Sequence, residues 1–173
     1  MSCPFCNKKG LGTIVYDDAR CWAKLENEQS IRGYTLLILK DHYDTFMGDI
    51  PQDDLTHFWS VAKDLGKAIK TALGAENIYM ASLCDGIKHF HIHLIPRYKW
   101  SEQDKDRFIE LFTKRDGLES VNKCVRNNTL GGFWFLGDAE RNYKEIAFAH
   151  LSIKEQEAER REIANLIRIE HRC

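Results

Sequence analysis

The chain has 173 residues, 43% of them hydrophobic, with 25 Lys and Arg against 26 Asp and Glu for a formal net charge of -1. That size supports one domain with its own core plus an appendage, and the balanced charge excludes a global field that would gather nucleic acid or an anionic membrane. No apolar run approaches the roughly 20 residues of a membrane span, and "MSCPFCNKKG" lacks the apolar core of a signal peptide, so a soluble, cytoplasmic protein is expected. In that setting the six cysteines do not form a disulfide framework, because thiols there stay reduced. Metal binding, catalysis or packing must account for them.

In chain order, "GTIVYD" and "CWAKLE" read as strands flanking the turn-prone Asp17-Asp18, and "YTLLILK" is an apolar run of strand length. Asp49 with Gln52 three residues on fits a capping box. Leu55, Phe58, Trp59, Ala62, Leu65, Ile69 and Leu73 then recur at helical spacing until Gly74, which predicts a long helix. "NIYMASL" and "HFHIHLI" read as two further strands, with Pro96 expected to end the second. A helix over 101–115 would pack through Phe108, Leu111 and Phe112 and close at Gly117. Beyond it, "NNTLGGFWFLGD" reads as a loop with an aromatic cluster that includes Trp134. Ser152 with Glu155 makes another capping box, opening an amphipathic helix with Ile163, Leu166 and Ile167 as its stripe. The fold class is therefore α+β: a central antiparallel sheet of about five strands with a long helix, plus a mainly helical C-terminal extension. The expected division is 1–116 and 117–173.

The chemistry concentrates in "KHFHIHLIPRYKW". On a strand, the period of two puts His89, His91 and His93 on one face and Phe90, Ile92 and Leu94 on the other. The three imidazoles then span about 13 Å, a length suited to a polyphosphate. Three readings stand side by side: a half-exposed strand that happens to carry histidine, a three-His metal site with an open position, and a neutral imidazole that attacks phosphorus while its neighbours hold the phosphate oxygens. "CPFC" separately places Cys3 and Cys6 at the gap of a zinc knuckle, half of a site.

These segments resemble the histidine-triad family of nucleotide hydrolases and transferases. "HFHIHLIPR" is similar to its His-x-His-x-His signature. "YTLLILKDHYDTF" resembles the strand that runs into a Pro-Lys-x-His turn, with Leu39 where Pro is common and His42 in place. "LCDGIKH" resembles the lead-in Leu-Gly-Asn-x-x-x-His, with Cys84 and Asp85 replacing Gly and Asn. The likeness covers about residues 3–100.

The resemblance implies a nucleotide substrate, a homodimer and a catalytic part within 1–116. His91 would be the nucleophile that forms a covalent nucleotidyl intermediate at the α-phosphate, and His93 would contact the phosphate or leaving group. Glu26 and Asn27 lie where the family places an acidic ribose-binding residue. Asp85 departs most from the pattern, because a carboxylate beside a polyphosphate repels it unless it is turned away or protonated. In zinc-bearing relatives, a cysteine pair joins two histidines that correspond here to His42 and His89. Cys3, Cys6, His42 and His89 would thus form a closed structural zinc site. The implied reaction is hydrolysis of a dinucleoside polyphosphate or nucleoside phosphoramidate. Transfer to another acceptor and a catalytically weak nucleotide-binding regulatory module are the alternatives. The retained His93 argues against the uridylyltransferase branch, where glutamine is expected. Nucleic acid is not an expected partner, because no basic surface or C-terminal Cys/His finger is visible.

Overall fold

The computed structural model describes residues 3–7, 12–27, 31–44, 47–82, 84, 87–98 and 152–169. Strands β1 (Ile14–Asp17), β2 (Cys21–Leu25) and β3 (Thr35–Leu39) precede helix α1 (Gln52–Leu73). Strands β4 (Asn77–Ala81) and β5 (His91–Arg97) follow it, and helix α2 spans Ile153–Ile167. The five strands form one antiparallel sheet in the order β1-β2-β3-β5-β4. The expected α+β architecture is thus the one the chain adopts. The helix and the aromatic cluster expected between residues 101 and 138 lie outside the described residues.

The β1–β2 hairpin turns where the Asp17-Asp18 pair foretold. The Asp18 N–H donates to Cys21 O at 3.0 Å, and the Asp18 carboxylate accepts the backbone N–H groups of Arg20 and Cys21, both at 2.7 Å, so backbone and side chain close the turn together. Tyr16 Oη and His57 Nε2 reach the same carboxylate at 2.5 Å each, and His57 belongs to α1, so this turn also anchors the helix.

One face of the sheet packs on α1 and α2. Ala23, Leu37, Ile92 and Leu94 from the strands meet Phe58, Ala62, Leu65 and Ile69 of α1 and Ile163, Ala164 and Ile167 of α2 in one buried cluster. Two details differ from the expected stripes. Trp59 and Leu166 are largely exposed, and Ala164 takes the inward place instead. A helix packed on one face of a sheet buries only the residues nearest that sheet, and both outliers fall at the edge of their stripe. The start of α1 also differs from the expected cap: Asp49 ends a short 3-10 turn, Pro51 occupies the cap position, and no side chain caps there. Proline suits this place because the first helical turn does not need its N–H. Gly74 ends α1 with φ +70°, the left-handed conformation glycine adopts without penalty. Ser152 and Glu155 form the expected capping box of α2.

Pro96 does not end β5. It pairs opposite Ile78, and the strand continues to Arg97. Arg97 O accepts Glu76 N and Phe90 O accepts Leu39 N, so odd-numbered residues turn their backbone groups toward β4 and even-numbered ones toward β3. The missing N–H of Pro96 therefore faces the β3 side, beyond the last β3 pair at Thr35 and Leu94, where no ladder bond is lost.

Candidate active site and metal centre

The opposite face of the sheet carries the histidines. β5 begins at His91, so His91 and His93 lie within the ladder, opposite Ile38 and Leu36 of β3, while His89 sits just before it. All three approach a second apolar cluster of Phe5, Trp22, Tyr34, Leu36, Ile38 and Ile95. His89 is 0% and His91 5% exposed, which decides their charge. Burial lowers the pKa of each, since an imidazolium loses hydration there. For His91, the bond to the His89 carbonyl and the Glu26 carboxylate offset this only in part. Burial, then the neighbouring His91, brings His93 to about 4. The triad is neutral near pH 7.

A neutral imidazole has one N–H, and the partners say where it is. His91 Nδ1 lies 2.7 Å from the His89 carbonyl oxygen, so Nδ1–H donates there and Nε2 keeps a lone pair. His89 Nε2 lies 2.7 Å from the Leu39 carbonyl, so Nε2–H donates and Nδ1 keeps its lone pair. The buried Cys84 thiol lies 3.6 Å from both His91 Nδ1 and the His91 carbonyl, at a positive φ of 49°. His93 Nδ1 lies 2.6 Å from Tyr34 Oη.

His89 Nδ1 points into a group formed with Cys3, Cys6 and His42, whose ligand atoms all lie within 4.8 Å of one another. The separations are 3.2 Å for His42 Nδ1 to His89 Nδ1, 3.3 Å for Cys6 Sγ to His42 Nδ1, and 3.5 and 3.3 Å from Cys6 and Cys3 Sγ to His89 Nδ1. Zinc bonds of about 2.05 Å to nitrogen and about 2.3 Å to sulfur give tetrahedral edges of about 3.3 Å between nitrogens and about 3.6 Å between nitrogen and sulfur. One lone pair at His89 Nδ1 cannot serve three partners as hydrogen bonds; one cation serves all four donors. The residues fit a tetrahedral Cys2His2 ion, and the Leu39 carbonyl supplies the outer hydrogen bond that holds a ligating imidazole in its tautomer. Burial and the adjacent Cys3 push the Cys6 thiol up, a repulsion that a shared cation removes.

Phe5, between the two cysteines, is 4% exposed. Its ring stands edge-on to His89 and His91, with centroids 5.8 and 5.0 Å away, and to Trp22. The knuckle therefore leans directly on the middle histidine. Nothing in the spacing of "CPFC" announces this contact. Tyr34 likewise carries no motif, and only the register places it: Leu36 pairs with His93, so residues two apart from Leu36 share the histidine face. Glu26 Oε1 accepts the Asn27 N–H at 2.8 Å, and Asn27 O accepts Arg160 of α2 at 2.8 Å, which places both at the end of β2. Asp85 and Trp134 lie outside the described residues.

His57, which carries no motif, joins Asp18 and Cys21 in a second cluster on the helix face. Burial alone would raise the Asp18 carboxyl, but the bonds from Tyr16, Cys21, Arg20 and His57 outweigh it and hold it well below the usual carboxylate range. Burial pushes the Cys21 thiol far up. With the carboxylate filled by four donors, this cluster is a structural anchor.

An antiparallel sheet that presents neutral histidines two residues apart, with a Cys/His cluster at the head of their strand, defines a domain of the histidine-triad class. The family model described as "HIT domain" matches residues 8–100, and the chain belongs to that family. It is 31% identical over 135 residues to an uncharacterized HIT-like protein of Saccharolobus solfataricus, covering 71% of this chain and 94% of the relative. A HIT-like protein of Methanocaldococcus jannaschii is 30% identical over 132 residues, covering 72% and 98%. Among solved structures, a hypothetical histidine triad nucleotide-binding protein from Sulfolobus tokodaii matches with TM-score 0.53 and 26% identity, covering 76% of this chain and 98% of that one. A Zn-bound histidine triad family protein from Mycobacterium smegmatis shares the fold at TM-score 0.52 and 23% identity, covering 70% and 89%. No described helix is long and apolar enough to cross a membrane.

Proposed function

We propose that the protein is a nucleotide hydrolase that cleaves at the α-phosphate of a nucleoside phosphate derivative, a dinucleoside polyphosphate or a nucleoside phosphoramidate, through a nucleotidyl-histidine intermediate. The observation that carries the reading is the 2.7 Å bond from His91 Nδ1 to the His89 carbonyl, which leaves Nε2 as an unprotonated, oriented nucleophile. In the first step the Nε2 lone pair forms a bond to the α-phosphorus as the bond to the leaving group breaks, and the leaving group departs with a proton taken from solvent, which the attacking water of the second step returns. In the second, water attacks the same phosphorus, the N–P bond breaks, and nucleoside monophosphate leaves with His91 restored. His93 contacts the phosphate oxygens or the leaving group. Glu26 and Asn27 hold the ribose, and Asp85 belongs to the substrate-binding set. The nucleotide-binding relative from Sulfolobus tokodaii supports the substrate class.

Cys3, Cys6, His42 and His89 hold zinc in this reading. A closed Cys2His2 ion supplies structural rigidity and no water for chemistry. Residues 1–116 carry the reaction, 117–173 extend it, and the working unit is a homodimer, checked by its mass in light scattering.

The test is release of nucleoside monophosphate from a panel of dinucleoside polyphosphates and nucleoside phosphoramidates, with native protein beside His91→Ala. Turnover that the substitution abolishes, together with a labelled nucleotide trapped on native protein, is the expected result. Equal turnover by the variant overturns the assignment of His91. Nucleotide binding without turnover by the native protein replaces the hydrolase with a binding module.

A further inference from the structure

The triad mechanism above uses His91 fully but leaves the proton of His93 unassigned. Tyr34 addresses that proton. Its hydroxyl is 2.6 Å from His93 Nδ1, and the two rings lie 5.8 Å apart at 43°. The contact is built rather than incidental. Tyr34 is 4% exposed, and its backbone is fixed from both sides: its N–H donates to Ile31 O at 3.0 Å, and its carbonyl accepts Glu26 N at 2.8 Å. Just before it, Gly33 has φ +84° and lies so close to α1 and β5 that an added Cβ would sit 2.4 Å from Leu73 Cδ1 and 3.4 Å from Pro96 Cγ. The turn at Gly33 thus sets where the Tyr34 ring enters the sheet face.

Two arrangements satisfy a short bond between a phenol and a neutral imidazole. Either Tyr34 O–H donates to Nδ1, or Nδ1–H donates to the phenol oxygen. Imidazole nitrogen is a strong acceptor with a full in-plane lone pair, whereas the phenol oxygen shares its density with the ring and is the weaker acceptor. The first arrangement wins, and it puts the ring proton of His93 on Nε2.

We propose that Tyr34 is a positioning residue whose hydroxyl donates to His93 Nδ1, holding His93 as the Nε2–H tautomer so that the nitrogen left for substrate donates to a phosphoryl oxygen. The neighbouring histidines then hold opposite tautomers: His91 presents a bare Nε2 that attacks, and His93 a protonated Nε2 that donates. A His93 with the proton on Nδ1 would turn a second lone pair toward phosphate oxygens and repel them. The neutral state this requires agrees with the lowered pKa of the half-buried ring. The catalytic consequence rests on the nucleotidyl-transfer reading; the tautomer assignment does not.

The experiment is a long-range nitrogen–proton NMR correlation on full-length protein carrying nitrogen-15 histidine, for the wild type and Tyr34→Phe. In the wild type the His93 signature is expected as one tautomer, Nδ1 unprotonated and Nε2 protonated. In Tyr34→Phe its two nitrogens shift toward averaged values, while the His91 pattern stays put and reports an intact sheet. On the substrate panel, kcat for Tyr34→Phe is expected to fall about tenfold or more, as for loss of an oriented proton donor, with KM changed less than about threefold. A wild-type spectrum with the His93 proton on Nδ1, or a Tyr34→Phe spectrum identical to wild type, overturns the proposal. The wild-type tautomer signature alongside a panel that gives no turnover sustains the Tyr34 assignment and instead removes the hydrolase reading.

Discussion

Replacing Asp18 with Ala takes away one carboxylate that serves four donors: Tyr16 Oη, the Arg20 and Cys21 N–H groups, and His57 Nε2. Hydrogen bonds to a charged group contribute about 1.5–3 kcal/mol each. Arg20 N is exposed and the His57 side chain is 36% exposed, so water replaces those two partners. The Tyr16 hydroxyl and Cys21 N–H have poorer access, and the cost falls on them, for a total of about 3–6 kcal/mol. That is a large share of the roughly 5–15 kcal/mol that holds a domain together. At pH 7 the urea midpoint should fall by about 2 M, taking a slope of about 2 kcal/mol per M. The pH dependence separates this cause from generic damage. Asp18 has a folded pKa held below its unfolded value of about 3.9, so its contribution is complete above about pH 4 and is lost as the pH falls below that toward the folded value. Urea curves of wild type and variant from pH 7 to pH 2.5 should therefore converge below about pH 4. A gap that stays constant through that range would show that the carboxylate's charge is not what anchors α1 to the hairpin.

Cys6→Ser should abolish stoichiometric zinc measured by plasma mass spectrometry and lower the melting temperature, while a chelator should lower that of the wild type but not of the variant; retained zinc at one per chain counts against the Cys2His2 set. Gly33→Ala forces a Cβ onto Leu73 at a positive φ, combining about 1–2 kcal/mol of backbone strain with about 1–3 kcal/mol of overpacking, and an unchanged urea midpoint would contradict that geometry. Ile163→Ala empties a fully buried place between α2 and the sheet and should cost about 2–5 kcal/mol in the same assay. Arg32 donates to Glu159 at 2.6 Å and Glu162 at 2.9 Å, but these side chains are 27% to 61% exposed, so Arg32→Ala should cost no more than about 1 kcal/mol and less in 1 M salt.

Local pattern carried far in this chain. Period-two alternation in "HFHIHLI" gave the two faces of β5, and helical spacing up to Gly74 gave α1, because both elements bury one side only. The capping box at Ser152 was equally plain, since both of its partners lie within four residues. What stayed hidden was set across distance. Tyr34 and His93 meet only through the register of β3 on β5, and His57 reaches Asp18 only once α1 lies over the first hairpin. Pro96 misled because its rule depends on which side of the strand its missing N–H faces, and that is decided by where the neighbouring strand stops. The gathering of Cys3, Cys6, His42 and His89 followed from resemblance, and no spacing along the chain would have joined the two halves.

Helix α2 gives synthesis a particular timetable. Its Ile163, Ala164 and Ile167 complete the same apolar cluster as β3, β5 and α1, yet about 70 residues separate the end of β5 from the end of α2. At about 5–20 residues per second a ribosome takes about 4–14 s to cover that interval. Through those seconds the sheet and α1 can be assembled while part of their apolar flank still faces water. Nascent chains paused in that window should be the ones that bind chaperones or aggregate, and release of residue 167 from the exit tunnel is the event that closes the flank.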